Sequence, residues 1–279
     1  MAKRRQGNNI PWRSLFGAFL IVAVISAVSY ALYIKSTQTD HVNKDGCPED
    51  DSLIPSTWIA LIDATTKFDD PQVLALENLG EKLIEMAPKF AEIKIYMMTG
   101  KAISKNDLVS SVCNPGDPKN INQWTQSKRR VRNNFNINYK GKLKKALDKI
   151  KVSSGAENSL ILDSIQNLAL IEKLNSNKEK NLFIISDFME NDGTLFNFYK
   201  QIPDYKALSK SGIFTTKLAA LGSNTNQTRV YMMLLPNQFK IQKTDKFIKF
   251  WRSYFIDSNA ALNNLNGKGY CIFTNCNLK

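Results

Sequence analysis

The sequence predicts an α/β protein: a doubly wound, mostly parallel sheet with helices on both faces, preceded by one transmembrane helix. Three observations carry this prediction. Residues 15–34, "LFGAFLIVAVISAVSYALYI", hold no charged side chain. Beyond them, largely apolar runs of strand length recur: "TWIALI" (57–62), "IKIYMM" (93–98), "NLFIIS" (181–186) and "RVYMMLL" (229–235). The stretches between carry apolar residues at helical spacing, and strands alternating with helices argue for parallel βαβ units. With 43% hydrophobic and 23% charged residues among 279, the chain is globular in composition rather than disordered.

Taken in order, residues 1–14 form a basic tail and residues 15–34 the apolar segment. About 20 apolar residues at 1.5 Å rise span a bilayer core. A cleaved signal peptide, with small residues at 27–29 as its processing site, is the alternative, but such apolar regions run ~7–15 residues. The segment therefore reads as an uncleaved signal anchor. Lys3, Arg4, Arg5 and Arg13 on its leading side place the N-terminus in the cytoplasm by the positive-inside rule. The expected location is the inner membrane of a bacterial envelope, single-pass, with everything from the linker (35–55) onward periplasmic.

All four cysteines, Cys47, Cys113, Cys271 and Cys276, lie beyond the apolar segment. An even count in an oxidising compartment points to disulfides, with three pairings open. None has C-x-x-C spacing, and His41 is the one histidine, which argues against a zinc centre and against His-dependent nucleophilic catalysis.

The domain proper occupies 56–279. After the strand at 57–62, residues 71–90 read as a helix, with Pro71 suited to its first turn. The strand at 93–98 is followed by a tight connection and "DLVSSV" (107–112), a short strand that should pair antiparallel with its predecessor. Residues 127–150 and 157–174 read as helices, 181–186 and 229–235 as strands, 243–256 as an amphipathic helix, and "YCIF" (270–273) as a last strand. On this topology Cys47 precedes the first strand and Cys113 ends the antiparallel one, so both lie at one sheet edge. That predicts Cys47–Cys113, and leaves Cys271–Cys276 to close a small terminal loop.

Three segments bring oxygen-bearing side chains to strand ends or helix starts: "DATT" after the first strand, "ENSLILDSI" opening a helix, and "ISDF" after a later strand. In α/β sheets ligands bind beyond the carboxyl ends of the strands. In this order and context the segments resemble the von Willebrand factor A-type domain (VWA, a Rossmann-like fold). That family binds a divalent cation through a D-x-S-x-S motif, a Thr before a later helix, and an Asp after the next strand. Asp63 matches the leading Asp, Thr65 the first Ser, Ser159 the Thr, and Asp187 the last Asp. The resemblance implies either no cofactor or one divalent cation, Mg²⁺ or Mn²⁺. It departs at Lys67, which replaces the second Ser. An ammonium there opposes a cation by like-charge repulsion. Either it points outward or it compensates the carboxylates itself, and the second is the preferred expectation.

The formal net charge is +13, and residues 128–151 hold ten Lys or Arg against one acid, Asp148. In an extracytoplasmic domain this reads as a solvated face near anionic headgroups rather than a nucleic-acid site. No nucleophile paired with a base is recognisable. The expected function is therefore protein binding, without catalysis, within an envelope-associated assembly such as a transfer or secretion apparatus. The alternative is a metal-dependent hydrolase or nuclease using Asp63, Asp69, Asp70 and Asp187.

Overall fold

The computed structural model describes residues 12–37, 42–116, 127–152, 155–156, 158–194, 196–223, 225–236, 240–263 and 269–276. Most of the basic tail, His41 and the loop at 117–124 lie outside these. The chain forms two compact units, one containing residues 1–41 and 122–126, the other residues 42–121 and 127–279.

In the first unit, α1 (Trp12–Thr37) is a 26-residue helix. Among the described residues no helix is long and apolar enough to cross a membrane.

The second unit is built on a mixed, mostly parallel sheet, as expected. Its strands are β1 (Ser56–Asp63), β2 (Glu92–Met98), β3 (Leu108–Cys113), β4 (Glu179–Ser186), β5 (Arg229–Leu234), β6 (Ala261–Leu262) and β7 (Cys271–Ile272), in the order β3-β2-β1-β4-β5-β6 with β7 also on β5. β3 runs antiparallel to β2, and the other pairings are parallel. Every residue of β1 is buried, as a central strand covered on both faces must be. Its side chains alternate between two cores. Ile59 and Leu61 join Ile165 and Leu168 of α5 (Ile161–Ile171) and Phe250 and Trp251 of α8 (Asp245–Asp257). Trp58, Ala60 and Ile62 join Leu76 and Leu83 of α2 (Asp70–Met86) and Leu143 and Leu147 of α4 (Gly141–Lys151).

Several boundaries differ from the sequence reading for local reasons. α2 stops at Met86 rather than residue 90, because Ala87 precedes Pro88 and takes an extended conformation. The basic stretch is helical from Lys128 to Lys151, but it passes from α3 (Lys128–Asn133) through a π-helical segment, Asn134–Lys140, into α4. Two short helices, α6 (Tyr205–Leu208) and α7 (Gly212–Thr215), and the two-residue β6 were not foreseen.

Both disulfides form as predicted. Cys47–Cys113 has a Cα–Cα distance of 4.7 Å and Cys271–Cys276 one of 5.2 Å. No free cysteine remains among the described residues.

Candidate functional site

β1 delivers Asp63 to the carboxyl edge of the sheet, where Asp63 is only 3% exposed. A buried carboxylate must have its oxygens hydrogen-bonded, and here the donors come from three segments far apart in sequence. Oδ1 accepts from the Thr65 amide at 3.0 Å and the Thr65 hydroxyl at 2.6 Å. Oδ2 accepts from the Ser186 hydroxyl at 2.6 Å and, at the limit of a hydrogen bond, from Ser159 Oγ at 3.5 Å. Asp63, Thr65 and Ser159 therefore meet, and Ser186 joins them from the end of β4.

The loops around this carboxylate are tied to one another. Ser159 and Asn191 exchange backbone hydrogen bonds, joining the start of α5 to the loop after β4. The Ala156 amide donates to the Thr65 carbonyl at 2.8 Å. Gly155 makes that approach possible, since a Cβ there would lie 2.7 Å from the same oxygen. Phe188 is fully buried with φ 56°, a left-handed conformation that costs a side-chain-bearing residue ~1–2 kcal/mol. It is held by its amide, which donates to Ser186 Oγ, and by its carbonyl, which accepts from Trp251 Nε1. Glu190, 1% exposed, accepts from the amides of Ile161 and Leu162 at 2.8 Å each and so caps α5. Burial pushes its carboxyl up to about 8, reinforced by Asp163 and Asp192 and opposed by the two amides.

Asp187 follows Ser186 and is partly exposed. Its Oδ1 accepts from the Met189 amide at 2.9 Å, and its carbonyl accepts from Gln242. The Tyr199 phenol is kept protonated first by burial, then by the negative charges of Asp187 and Asp63, so both carboxylates act on one side chain.

Lys67 is exposed and enters no hydrogen bond or ion pair among the described residues; the Asp63 carboxylate is met by one amide and three hydroxyls instead. Asp69 is committed to a capping box with Gln72 at the start of α2, which Asp70 opens. Among the described residues no three of His, Cys, Asp and Glu are grouped as metal ligands would be. A cavity of about 290 Å³ lies elsewhere, between α2 and the C-terminal turn, with Leu79, Lys82, Phe273 and Cys276 in its wall.

Sequence reasoning overlooked Ser186, Glu190 and Gly155. Ser186 had a signal, a hydroxyl closing an apolar run beside Asp187. Glu190 had none, because its partners are 28 and 29 residues away in the chain. No family model matches the chain, and neither does any curated protein.

Proposed function

We propose that the chain is a membrane-anchored, extracytoplasmic protein-binding module of the von Willebrand factor A type, working in an envelope-associated assembly such as a transfer or secretion apparatus. The observation that carries this reading is the convergence of Thr65, Ser159 and Ser186 on the buried Asp63 at the carboxyl edge of the sheet. The single antiparallel edge strand, β3 beside β2, supports it.

The donor set contains only oxygens, which fits a hard divalent cation such as Mg²⁺ or Mn²⁺ that keeps several of its waters. Asp63, Thr65, Ser159 and Asp187 would hold it, and it would leave a coordination position for an acidic side chain of the partner. The exposed Lys67 then belongs to the rim that a partner touches.

For the anchor, support comes from α1 itself. Phe19, Ile21, Val24, Ile25 and Tyr30 point in all directions around its axis and are all exposed. A helix that is apolar all round needs a bilayer or a large core to cover it. The two disulfides favour an oxidising compartment.

Two experiments test the reading. A reporter active only in the periplasm, fused after Lys279, is expected to be active; cytoplasmic activity would overturn the placement. A photo-crosslinking residue at the exposed Thr66 is expected to capture a discrete envelope protein, and to lose it in Asp63→Asn. The same crosslinker at Leu53, before the amino end of β1, should not capture it. Equal capture from both positions, or capture indifferent to Asp63→Asn, would remove the site.

A further inference from the structure

The basic helix has an inward and an outward face, and their chemistry differs sharply. Inward, Tyr139 of the π segment and Leu143, Ala146, Leu147 and Ile150 of α4 are buried in the core under α2. Outward, Arg129, Arg132, Lys140, Lys144 and Lys145 are exposed, and among the described residues none of them forms an ion pair. Ile137 stands among these charges, 67% exposed. A solvated face needs no such residue, whereas an interfacial helix pairs basic side chains with an apolar one that enters the headgroup boundary. The π segment itself supports a surface role, since π turns cost regularity and recur at functional sites.

The start of α4 is tied to the stretch that leads into the sheet. Lys142, in the first turn of α4, pairs with Asp45 at 2.7 Å and donates to the Lys44 carbonyl. The Cys47–Cys113 disulfide fixes the same stretch to the end of β3, which pairs with the start of β2. Asp63 sits at the other end of β1, roughly 23 Å further along at ~3.3 Å per residue.

We propose that α3 and the π segment, through Arg129, Arg132, Lys140 and the apolar Ile137, dock on an anionic phospholipid surface. The proposal rests on the anchored reading of the chain, but its test does not use α1. Residues 42–279 contain both core clusters and both disulfides, and 42–121 with 127–279 form one compact unit. This segment, oxidised, is sedimented with phosphatidylcholine vesicles carrying about one third phosphatidylglycerol at ~0.1 M salt.

The expected result is saturable binding that weakens steeply with salt and is absent for pure phosphatidylcholine. The triple variant Arg129→Gln, Arg132→Gln, Lys140→Gln should lose roughly a hundredfold in affinity, at about fivefold per basic residue removed. Ile137→Asn should weaken binding several-fold while keeping the salt dependence. All four side chains are exposed, and an unchanged far-UV spectrum excludes misfolding. Absent binding, equal binding to neutral vesicles, or an undiminished triple variant would overturn the proposal. So would tighter binding to a short single- or double-stranded nucleic acid at the same salt, which would make the surface a nucleic-acid site. Failure of the anchored reading shows separately, as release of the full chain from membranes by alkaline carbonate.

Discussion

Replacing Glu190 by glutamine should make the domain more stable in alkaline solution and leave it nearly unchanged in mild acid. Glu190 is buried, reached by the amides of Ile161 and Leu162, and faced by the charges of Asp163 and Asp192, while its own charge bears on the Tyr254 phenol. Its pKa of about 8 lies above the unfolded value of 4.5, so the folded state favours the protonated form. The resulting stability is fully present below about pH 4.5 and is lost as pH rises through about 8. At ~1.4 kcal/mol per tenfold, that difference is worth roughly 5 kcal/mol. The N-terminal dipole of α5 favours the ionised form by ~1–2 kcal/mol, which leaves a fall of about 3 kcal/mol.

Glutamine keeps an acceptor oxygen for the two amides and never ionises. Glu190→Gln should therefore match the parent within ~1 kcal/mol at pH 5 and exceed it by about 3 kcal/mol at pH 9. Glu190→Ala, which removes the cap, should be less stable at pH 5 by ~1–2 kcal/mol. Urea unfolding of residues 42–279 at pH 5, 7 and 9 reads these values through Trp251, whose indole donates to the Phe188 carbonyl two residues from Glu190. With His41 as the one histidine, few other groups titrate in this window. A glutamine variant less stable than the parent at pH 9, or two parallel pH profiles, would refute the reasoning.

Removing the Cys47–Cys113 bridge as a double serine variant opens a loop closed across 66 residues, and chain entropy puts the loss at about 4 kcal/mol in urea unfolding. Lys173→Gly should stabilise by ~1 kcal/mol: Lys173 ends α5 at φ 50°, in a C-terminal motif where the Leu174 amide bonds the Ala169 carbonyl and glycine is the unstrained choice; a loss of stability would refute the strain. Ser186→Ala removes one donor from the Asp63 carboxylate and the acceptor of the Phe188 amide, so it should cost ~2–3 kcal/mol and weaken capture through Thr66; unchanged capture would show that the carboxylate does not depend on β4.

How much of this was legible in the sequence depends on the range over which each feature is determined. β1 and β4 announced themselves because a strand buried on both faces is a continuous apolar run, and Asp63 because it breaks such a run. The Cys47–Cys113 pairing followed from one inference, that a tight connection makes β3 antiparallel and so returns Cys113 to the edge from which the chain enters β1. By contrast, β6 has two residues, too few for any periodicity. The apolar pattern at 157–174 looked like one helix, yet α5 starts only at Ile161, because Ala156 and Ser159 spend their amides on Thr65 and Asn191.

The same distinction applies to Lys67. Carboxylates at one strand edge call for compensation, and Lys67 is the nearest cation to Asp63 in sequence. In the folded chain the Thr65 amide and the Thr65 and Ser186 hydroxyls bond the Asp63 carboxylate, with Ser159 Oγ at the 3.5 Å limit, and these donors do locally what a distant ammonium would do through solvent. Hydroxyls are a different kind of compensation from an ion pair, since they can rotate away. A cation entering beside Asp63 would find oxygens that only have to turn their protons outward, whereas a lysine salt bridge would first have to be broken. The arrangement around Asp63 is thus compatible with the divalent ion proposed above, and Asp63→Asn discriminates between a site that works through charge and one that works through shape alone.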